Sequence, residues 1–232
     1  MSYRLYYWTG LQGRGEFVRL CLEDVAAPYV DVAREDGDEV MNAFLDGEEA
    51  GALPFAPPFL TSGRLVIAQV ANILQYLGPR HGLVPDSESA RLYANQLQLT
   101  VTDLVAEVHD THHPVASGLY YKDQRDEAKR RAKDFRENRI PKFLGYFEKA
   151  LSRGGGKHPL RTHSYVDLSL FQVMAGLDYA FPKAMAKQKL PLLRDLAKRV
   201  ADRPHVAAYL ASDRRVPFNT NGIFRHYPEL DG

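Results

Sequence analysis

The most informative stretch of this chain is residues 56–77, APPFLTSGRLVIAQVANILQYL. Its first part is extended, because a residue that precedes a proline is pushed towards extended conformations, and Pro57 precedes Pro58. The bond between these two prolines is also of the kind in which a cis peptide costs little. A turn at Ser62-Gly63 follows, then a short strand and an amphipathic helix. The stretch therefore predicts strand, turn, strand and helix in direct succession.

The start of this helix is a predicted ligand site. Gln69 and Val70 stand where the second strand becomes the helix, and the first N–H groups of a helix have no partner within it. These groups and the helix dipole attract a carboxylate. A cis bond at Pro58 would in addition expose a backbone edge to the ligand. We therefore expect a ligand with a carboxylate to bind at this helix N-terminus.

Composition and charge limit the possible functions. The chain has 232 residues, of which 45% are hydrophobic, and this is ample for a core. Because 30 Lys and Arg stand against 29 Asp and Glu, we expect no basic surface for nucleic acid or for an anionic membrane. No apolar run approaches the roughly 18 residues that span a bilayer, and no signal-peptide pattern opens the sequence. These features favour a cytoplasmic protein.

The residues before this stretch add further elements of an α/β domain. Residues 3–8, YRLYYW, are aromatic and typical of a strand, and residues 16–25 carry apolar side chains at helical spacing. Residues 28–32, PYVDV, predict a short strand, and residues 34–53 predict an exposed loop with a short helix. Together with the stretch described above, the order becomes β-α-β followed by β-β-α.

A segment rich in proline and glycine, GPRHGLVPD at residues 78–86, separates this domain from the rest. We place the first domain at residues 1–79, a linker at 80–86 and a second domain at 87–232. The second domain reads as helical throughout.

Two long helices are predicted in the second domain. The first has an apolar stripe at Leu97, Val101, Leu104 and Val108. Pro114 and Gly118 are expected to end it. The second covers residues 123–151, and Pro141 predicts a break or a kink within it.

The motifs of both domains resemble those of the cytosolic glutathione transferases. That family carries an X-Pro-X-Leu segment, a turn and a Gln/Glu-Ser pair that opens a helix, and here Pro58 and Gln69 match. Ser164 and Asp167 form a predicted capping box before an apolar run, which is similar to the central helix of the family's C-terminal domain. The resemblance covers nearly the whole chain. It implies a thioredoxin-like N-terminal domain with a mixed four-stranded sheet, followed by an all-helical C-terminal domain.

The first strand and helix are similar to the tyrosine-type classes alpha, mu, pi and sigma, in which a Tyr-Phe/Trp pair precedes a GR-x-E-x-x-R helix. On this match Tyr7 is the catalytic tyrosine, which donates its hydroxyl to the glutathione sulfur, and Trp8 flanks the peptide. Arg14 matches an alpha-class arginine whose cation favours the thiolate, although a solvated charge is the alternative. The loop is one residue longer than usual, so Tyr6 and Thr9 stay open as hydroxyl donors.

The resemblance also implies the glutathione-binding residues, with two departures from the family pattern. In the family the residue before the cis-proline binds the cysteinyl backbone, and here Pro57 precedes Pro58 and has no N–H to donate. The Gln-Ser pair of the family holds the γ-glutamyl end, and here it reads Gln69-Val70. Both departures predict weaker glutathione binding than is usual in the family.

An apolar electrophile would bind between the two domains. By comparison with the family, Leu11, His113 and Tyr120 are the candidate residues of that pocket, with Tyr121 as an alternative to Tyr120.

His109 and His113 are four residues apart and would share a helix face, but the sequence places no third ligand, so we predict no metal site. Histidines that close a helix C-terminus are the alternative explanation.

Two other patterns near the first helix predict no chemistry. Cys21 is the only cysteine, so disulfides are excluded, and it lies on the apolar stripe of the helix, where a buried thiol has no cause for a lowered pKa. Gly10, Gly13 and Gly15 have the order G-x-x-G-x-G, which is neither a dinucleotide fingerprint nor a phosphate-binding loop.

The predicted function is conjugation of the glutathione thiolate to an apolar electrophile, with glutathione as the co-substrate and no metal. The resemblance implies a homodimer. Two alternatives stay open: a non-catalytic relative that binds a small molecule or a protein, and a glutathione-dependent peroxidase or isomerase.

Overall fold

The N-terminal part of the protein is built on a four-stranded sheet. The structure is a computed structural model that describes residues 2–232. Its strands are β1 (Tyr3–Tyr6), β2 (Tyr29–Asp31), β3 (Phe59–Ser62) and β4 (Leu65–Ala68). The sheet has the order β2-β1-β3-β4, in which β1 is parallel to β2 and antiparallel to β3, and β3 is antiparallel to β4. This arrangement confirms the predicted thioredoxin-like domain.

The helices of this domain follow the predicted order. They are α1 (Gly15–Asp24), α2 (Val32–Asp36), α3 (Asn42–Leu45) and α4 (Val70–Arg80), with a 3-10 turn at Asp38–Met41. The first strand was predicted to reach Trp8, but β1 ends at Tyr6, which pairs with Phe59 directly after the two prolines. Tyr7 and Trp8 therefore belong to the loop before α1.

The second part consists of helices joined by turns and loops. They are α5 (Glu88–Asp110), α6 (Arg125–Asp134), α7 (Ile140–Arg153), α8 (Tyr165–Ala180), α9 (Pro182–Ala186), α10 (Pro191–Ala201), α11 (Pro204–Leu210) and α12 (Pro228–Asp231). The all-helical C-terminal domain is confirmed. Since α4 ends at Arg80 and α5 begins at Glu88, the connection between the two parts covers residues 81–87, and the predicted domain limits stay a proposal. Within residues 2–232, no helix has the length and apolar character needed to cross a membrane.

The predicted breaks in the long helices differ in detail from the observed ones. Helix α5 stops at Asp110, before Pro114, and the Thr111 hydroxyl donates to the Val108 carbonyl at 2.7 Å in the last turn. The second long helix is interrupted as expected, by a π-helical turn at Phe135–Arg139 that leads into Pro141 at the start of α7.

The capping box at the start of α8 is confirmed. The Ser164 N–H and hydroxyl both donate to one oxygen of the Asp167 carboxylate, at 2.9 and 2.7 Å. Most side chains of α8 are buried, so this helix lies at the centre of the second part.

One large hydrophobic cluster extends through both parts of the protein. Leu60 of the sheet and Leu74 of α4 belong to the same cluster as Leu97 of α5 and Val173 of α8. Because the core continues across the junction, the cleft between the two parts has fixed walls. A separate small cluster contains Tyr6, Val32, Ala33, Met41 and Phe59.

The chain after α11 returns across the loop between β1 and α1. The Gln12 side chain donates to the Val216 carbonyl at 2.6 Å, and the Asn219 side chain donates to the Gly10 carbonyl at 2.8 Å. Phe224 packs against Gly176, where any added Cβ would overlap the aromatic ring. This tail therefore holds the loop that leads to Arg14.

Candidate active site

A cavity of about 290 Å³ lies between the two parts of the protein. Its lining residues are Arg14, Phe17, Phe55, Ala56, Pro57, Pro58, Gln69, Val70, Gln98, Val101, Thr102 and Val105. The volume is at the lower end of the range for small-molecule sites, which begins at about 300 Å³. Five residues predicted from sequence, Arg14 and the Pro57-Pro58 and Gln69-Val70 pairs, meet in this one cavity.

The wall predicted to hold the peptide comes from the loop before β3 and from the start of α4. The Pro57-Pro58 bond is cis. Gln69 precedes the first residue of α4 and has a φ of 70°, a left-handed conformation that is unusual for a residue with a side chain. Such conformations are found at ligand sites, where the surrounding structure maintains them. The first N–H groups of a helix have no partner within it, and the cavity that Gln69 and Val70 line has no carboxylate among its lining residues.

The Tyr7 hydroxyl lies next to Arg14. It accepts the Arg14 backbone N–H at 2.8 Å, and the residue is only 4% exposed. Burial raises the pKa of Tyr7, although the Arg14 N–H and the Arg14 and Arg19 charges act in the opposite direction. The hydroxyl therefore stays protonated at neutral pH, and its own proton is available to another acceptor.

Glycines allow this close packing around Tyr7. A Cβ built on Gly13 would lie 2.0 Å from the Tyr7 hydroxyl oxygen, and one on Gly15 would lie 2.6 Å from the ring. Gly13 and Gly15 of the G-x-x-G-x-G sequence thus make room for a tyrosine.

The two alternative hydroxyls are engaged elsewhere. The Tyr6 ring stacks on Phe59, with centroids 4.5 Å apart, inside the small core cluster. The Thr9 hydroxyl donates to Asp38 at 3.4 Å and is exposed. Of the three candidates, Tyr7 has the hydroxyl beside Arg14, and its catalytic role stays a prediction.

The structure does not bring the other predicted residues to the cavity. Trp8 and Leu11 lie in the loop after β1, and His113 follows the end of α5; none of them lines the cavity. Tyr120 is 73% exposed and lies next to Lys122 in a surface loop. The predicted electrophile pocket of Leu11, His113 and Tyr120 is not part of this cavity, whose lining residues on α5 end at Val105.

His112 holds the tail against the end of α5. Its Nε2 lies 2.9 Å from the Ile223 carbonyl, which only accepts hydrogen bonds, so Nε2 carries the proton and Nδ1 accepts from His113 Nδ1 at 2.6 Å. Burial, together with the nearby Arg225 charge, lowers the pKa of His112 from 6.5 to about 3. The same causes lower the pKa of His113 to about 4.

This pKa shift predicts a loss of stability in mild acid. The folded-state pKa of His112 lies below its unfolded value of 6.5. Its contribution to the free energy of unfolding is therefore fully present above pH 6.5 and is lost as the pH falls towards 3. The expected slope is up to about 1.4 kcal/mol of unfolding free energy per pH unit. Urea unfolding of wild type and His112→Asn between pH 7.5 and 4.5 measures it, and the variant should show the shallower slope. His205→Asn, at an exposed site, is the control, and equal slopes for wild type and His112→Asn would contradict the assignment.

Another group of potential metal ligands lies near the start of α8. Ligand atoms of His158, His163 and Asp167 lie within 4.8 Å of one another. Each histidine already has a carboxylate partner: His158 binds Asp167 at 2.7 Å, and His163 binds Asp24 of α1 at 2.9 Å. The His163–Asp24 pair connects the two parts of the protein, whereas His158 and Asp167 both lie in the second part. The predicted lack of a metal stays a prediction.

Comparison with known proteins agrees with this geometry. The family model described as "Glutathione S-transferase, C-terminal domain" matches residues 109–213. The chain is 28% identical to "Glutathione S-transferase 2" of Onchocerca volvulus, over 96% of this chain and 99% of the relative. By these matches the chain is similar to the cytosolic glutathione transferases. A further relative, "Glutathione S-transferase P 1" of Xenopus laevis, is 26% identical over 92% of this chain and 94% of its own length.

A solved structure shows the same similarity. The Pi-class glutathione S-transferase of Onchocerca volvulus superposes with a TM-score of 0.73 at 26% identity, covering 96% of this chain and 99% of that one. The fold of the chain therefore agrees with that of this structure along nearly its whole length. The cavity lies between the two parts of the fold.

Two sets of residues were not predicted from the sequence. Gln98 lines the cavity from α5, and its only sequence signal is a polar residue next to an apolar stripe. Glu16 and Arg19 are completely buried, and they are the acidic and basic residues of the GR-x-E-x-x-R motif. The sequence analysis matched this motif to a family class, but it did not predict that Glu16 and Arg19 form a buried ion pair.

Proposed function

We propose that this protein is a glutathione transferase that conjugates the glutathione thiolate to an apolar electrophile. The observation that carries the proposal is the single cavity that collects Arg14, Pro57, Pro58, Gln69 and Val70. In this arrangement the γ-glutamyl carboxylate lies at the start of α4, the cysteinyl backbone lies along the cis-proline segment, and the sulfur lies on the Arg14 side.

Tyr7 stabilises the thiolate in this proposal. Its hydroxyl is held by the Arg14 N–H and keeps a free proton, so it can donate to the sulfur once glutathione is bound. The Arg14 cation adds to the preference for the ionised thiol. Tyr7 itself does not line the cavity, so this role requires that Arg14 moves aside when glutathione binds.

Glutathione binding by calorimetry, with thiol ionisation followed by ultraviolet absorbance and conjugation assayed with benzyl bromide, tests the proposal. We expect binding at millimolar or lower glutathione and a bound thiol that ionises below its free pKa. No binding at millimolar glutathione would overturn the proposal.

That negative result would favour a second candidate, a non-catalytic family member that binds a small molecule or a protein. Pro57 lacks an N–H and Val70 lacks a hydroxyl, so the cavity offers fewer hydrogen bonds to the peptide than the usual family pattern.

The missing hydroxyl leads to a direct prediction. Val70→Ser should tighten glutathione binding about 3- to 10-fold, because a hydroxyl at the start of α4 adds one hydrogen bond to a charged carboxylate. Calorimetry on wild type and variant measures the change. Ala71→Ser, one residue further along α4, is the control and should leave the affinity unchanged. An unchanged affinity for Val70→Ser would show that the carboxylate lies elsewhere.

We also propose that the protein forms a homodimer and acts in the cytoplasm. Large apolar side chains lie exposed on the single chain, at Phe55, Leu65, Leu92 and Leu99. Exposed apolar surface of this kind is typical of an interface. Sedimentation equilibrium measures the assembly directly.

A further inference from the structure

The side chain of Gln12 joins the loop between β1 and α1 to the rest of the protein. Gln12 is 5% exposed, and both ends of its amide are paired. Its Nε2 donates to the Val216 carbonyl of the tail at 2.6 Å, and its Oε1 accepts from Gln172 Nε2 of α8 at 2.8 Å. Because a buried amide that loses a partner is destabilising, these two bonds fix Gln12 relative to α8 and the tail.

These bonds belong to a closed ring of hydrogen bonds. Gln172 is completely buried, and its Oε1 accepts from Arg215 Nη2 at 3.0 Å. Arg215 also pairs with the buried Glu16 carboxylate of α1, and the Glu16 N–H donates to the Gln12 carbonyl at 3.1 Å. The ring therefore runs from the loop through α8 and the tail to α1, and back to the loop. Buried networks of this kind hold their members rigidly when every member is paired.

Two members of the ring, Gln12 and Glu16, flank the segment that carries the proposed thiol site. Between them stands Arg14, whose N–H donates to the Tyr7 hydroxyl at 2.8 Å. Both neighbours of Arg14 are glycines, and Gly13 has a φ of 48°, a region that glycine enters freely. Since the local sequence leaves the backbone this freedom, the position of the Arg14 N–H depends on how Gln12 and Glu16 are held.

We propose that Gln12 is a positioning residue for the thiol site, and that its bonds to Gln172 and the tail keep the Arg14 N–H on the Tyr7 hydroxyl. The inference rests on the proposed function. The N–H occupies one lone pair of the hydroxyl oxygen, so the hydroxyl donates its proton to another acceptor, and the sulfur of bound glutathione provides one. The ring holds the backbone, so the Arg14 side chain can move aside for glutathione while the N–H stays in place.

The test compares wild type with Gln12→Leu and Gln172→Leu. The main readout is the ionisation of bound glutathione, followed by ultraviolet absorbance against pH, and the second is kcat/KM with benzyl bromide. We expect each variant to raise the thiol pKa of bound glutathione by about 0.5–1 and to lower kcat/KM near neutral pH about 3- to 10-fold, with recovery at higher pH. The double variant should raise this pKa no further than Gln12→Leu alone, because both residues act through one hydrogen bond.

Gln124→Leu is the matched control, since it also removes a buried glutamine amide that holds a loop. Gln124 is 1% exposed; its Oε1 accepts the Val115 N–H at 2.9 Å, and its Nε2 donates to the Leu119 carbonyl at 3.1 Å, in the loop after α5. Its Tm should fall, while the thiol pKa of bound glutathione stays at the wild-type value. If Gln12→Leu fails to fold, Gln172→Glu provides the comparison, because it removes only the N–H that Gln12 accepts and keeps an acceptor at the same place.

Three results would overturn the inference when wild type binds glutathione. A lower Tm of Gln12→Leu with an unchanged thiol pKa would show that the ring serves stability alone. An equal rise of the thiol pKa in Gln124→Leu would show that any loosening of the protein disturbs the site. A larger rise in the double variant than in Gln12→Leu would show that Gln172 acts by another route. If wild type binds no glutathione, the proposed function itself is wrong, and this inference is wrong with it.

Discussion

Tyr7→Phe should lower kcat/KM for glutathione conjugation at neutral pH about 100- to 1,000-fold. Removal of one hydrogen-bond donor from a developing or stabilised anion commonly costs this much. The buried hydroxyl keeps its proton, because burial raises the pKa of Tyr7, and the Arg14 N–H leaves that proton free. Without the donor, the thiol pKa of bound glutathione should rise by about two units, which corresponds to roughly 2.7 kcal/mol.

The pH profile separates this effect from a loss of binding. Since the reactive form is the thiolate, the rate of Tyr7→Phe should recover as the pH increases through the raised thiol pKa, while the affinity for glutathione stays close to that of wild type. Tyr6→Phe is the matched control, because its ring packs on Phe59 in the small core cluster. A large effect of Tyr6→Phe, with none for Tyr7→Phe, would reverse the assignment.

Local sequence patterns predicted the part of the site that is formed by one short segment. The elements of residues 56–77 follow from proline, turn and helix-start chemistry, and the cavity contains the four residues predicted from it, Pro57, Pro58, Gln69 and Val70. The backbone conformations of this segment are determined mainly by residues adjacent in the sequence, so the sequence alone predicts them. Arg14 lines the same cavity, and its role was predicted from the family resemblance, which covers the first helix.

Patterns along the chain could not predict how the two domains meet. The α5 wall of the cavity, including Gln98, depends on the packing of α5 against α4 and α8, and an apolar stripe alone does not show which residue at its edge faces a ligand. His113 and Tyr120 were placed by comparison with the family, and in this chain the loop after α5 carries Tyr120 to the surface. The tail that covers Gln12 has no regular secondary structure there, so no hydrophobic periodicity in the sequence predicts its path.

Arg19 connects the first helix to the sheet in the middle of the protein. The side chain is completely buried; its Nε donates to Asp31 at 2.6 Å and its Nη1 donates to Glu16 at 3.4 Å. Glu16 is also bound by the Tyr209 hydroxyl at 2.8 Å and by Arg215 of the tail. One buried cluster therefore joins α1, the end of β2, α11 and the tail.

Arg19→Met should lower the free energy of unfolding by about 3–5 kcal/mol. Methionine fills much of the space, but it leaves the Asp31 carboxylate without its closest cation and Glu16 with one cation fewer, and a buried charge that loses its partner is strongly destabilising. Urea unfolding measures the change as a lower midpoint with an unchanged slope.

Arg4→Met provides the comparison that isolates burial as the cause. Arg4 also pairs with an aspartate of the first domain, but that pair is 4.0 Å long, and its side chains are 47% and 55% exposed. Exposed pairs of this kind contribute about 0–1 kcal/mol, so Arg4→Met should leave the midpoint almost unchanged. Equal and small effects of the two substitutions would show that solvent reaches the Arg19 cluster. The ion pair between Glu16 of α1 and Arg215 of the tail would then be solvated rather than buried.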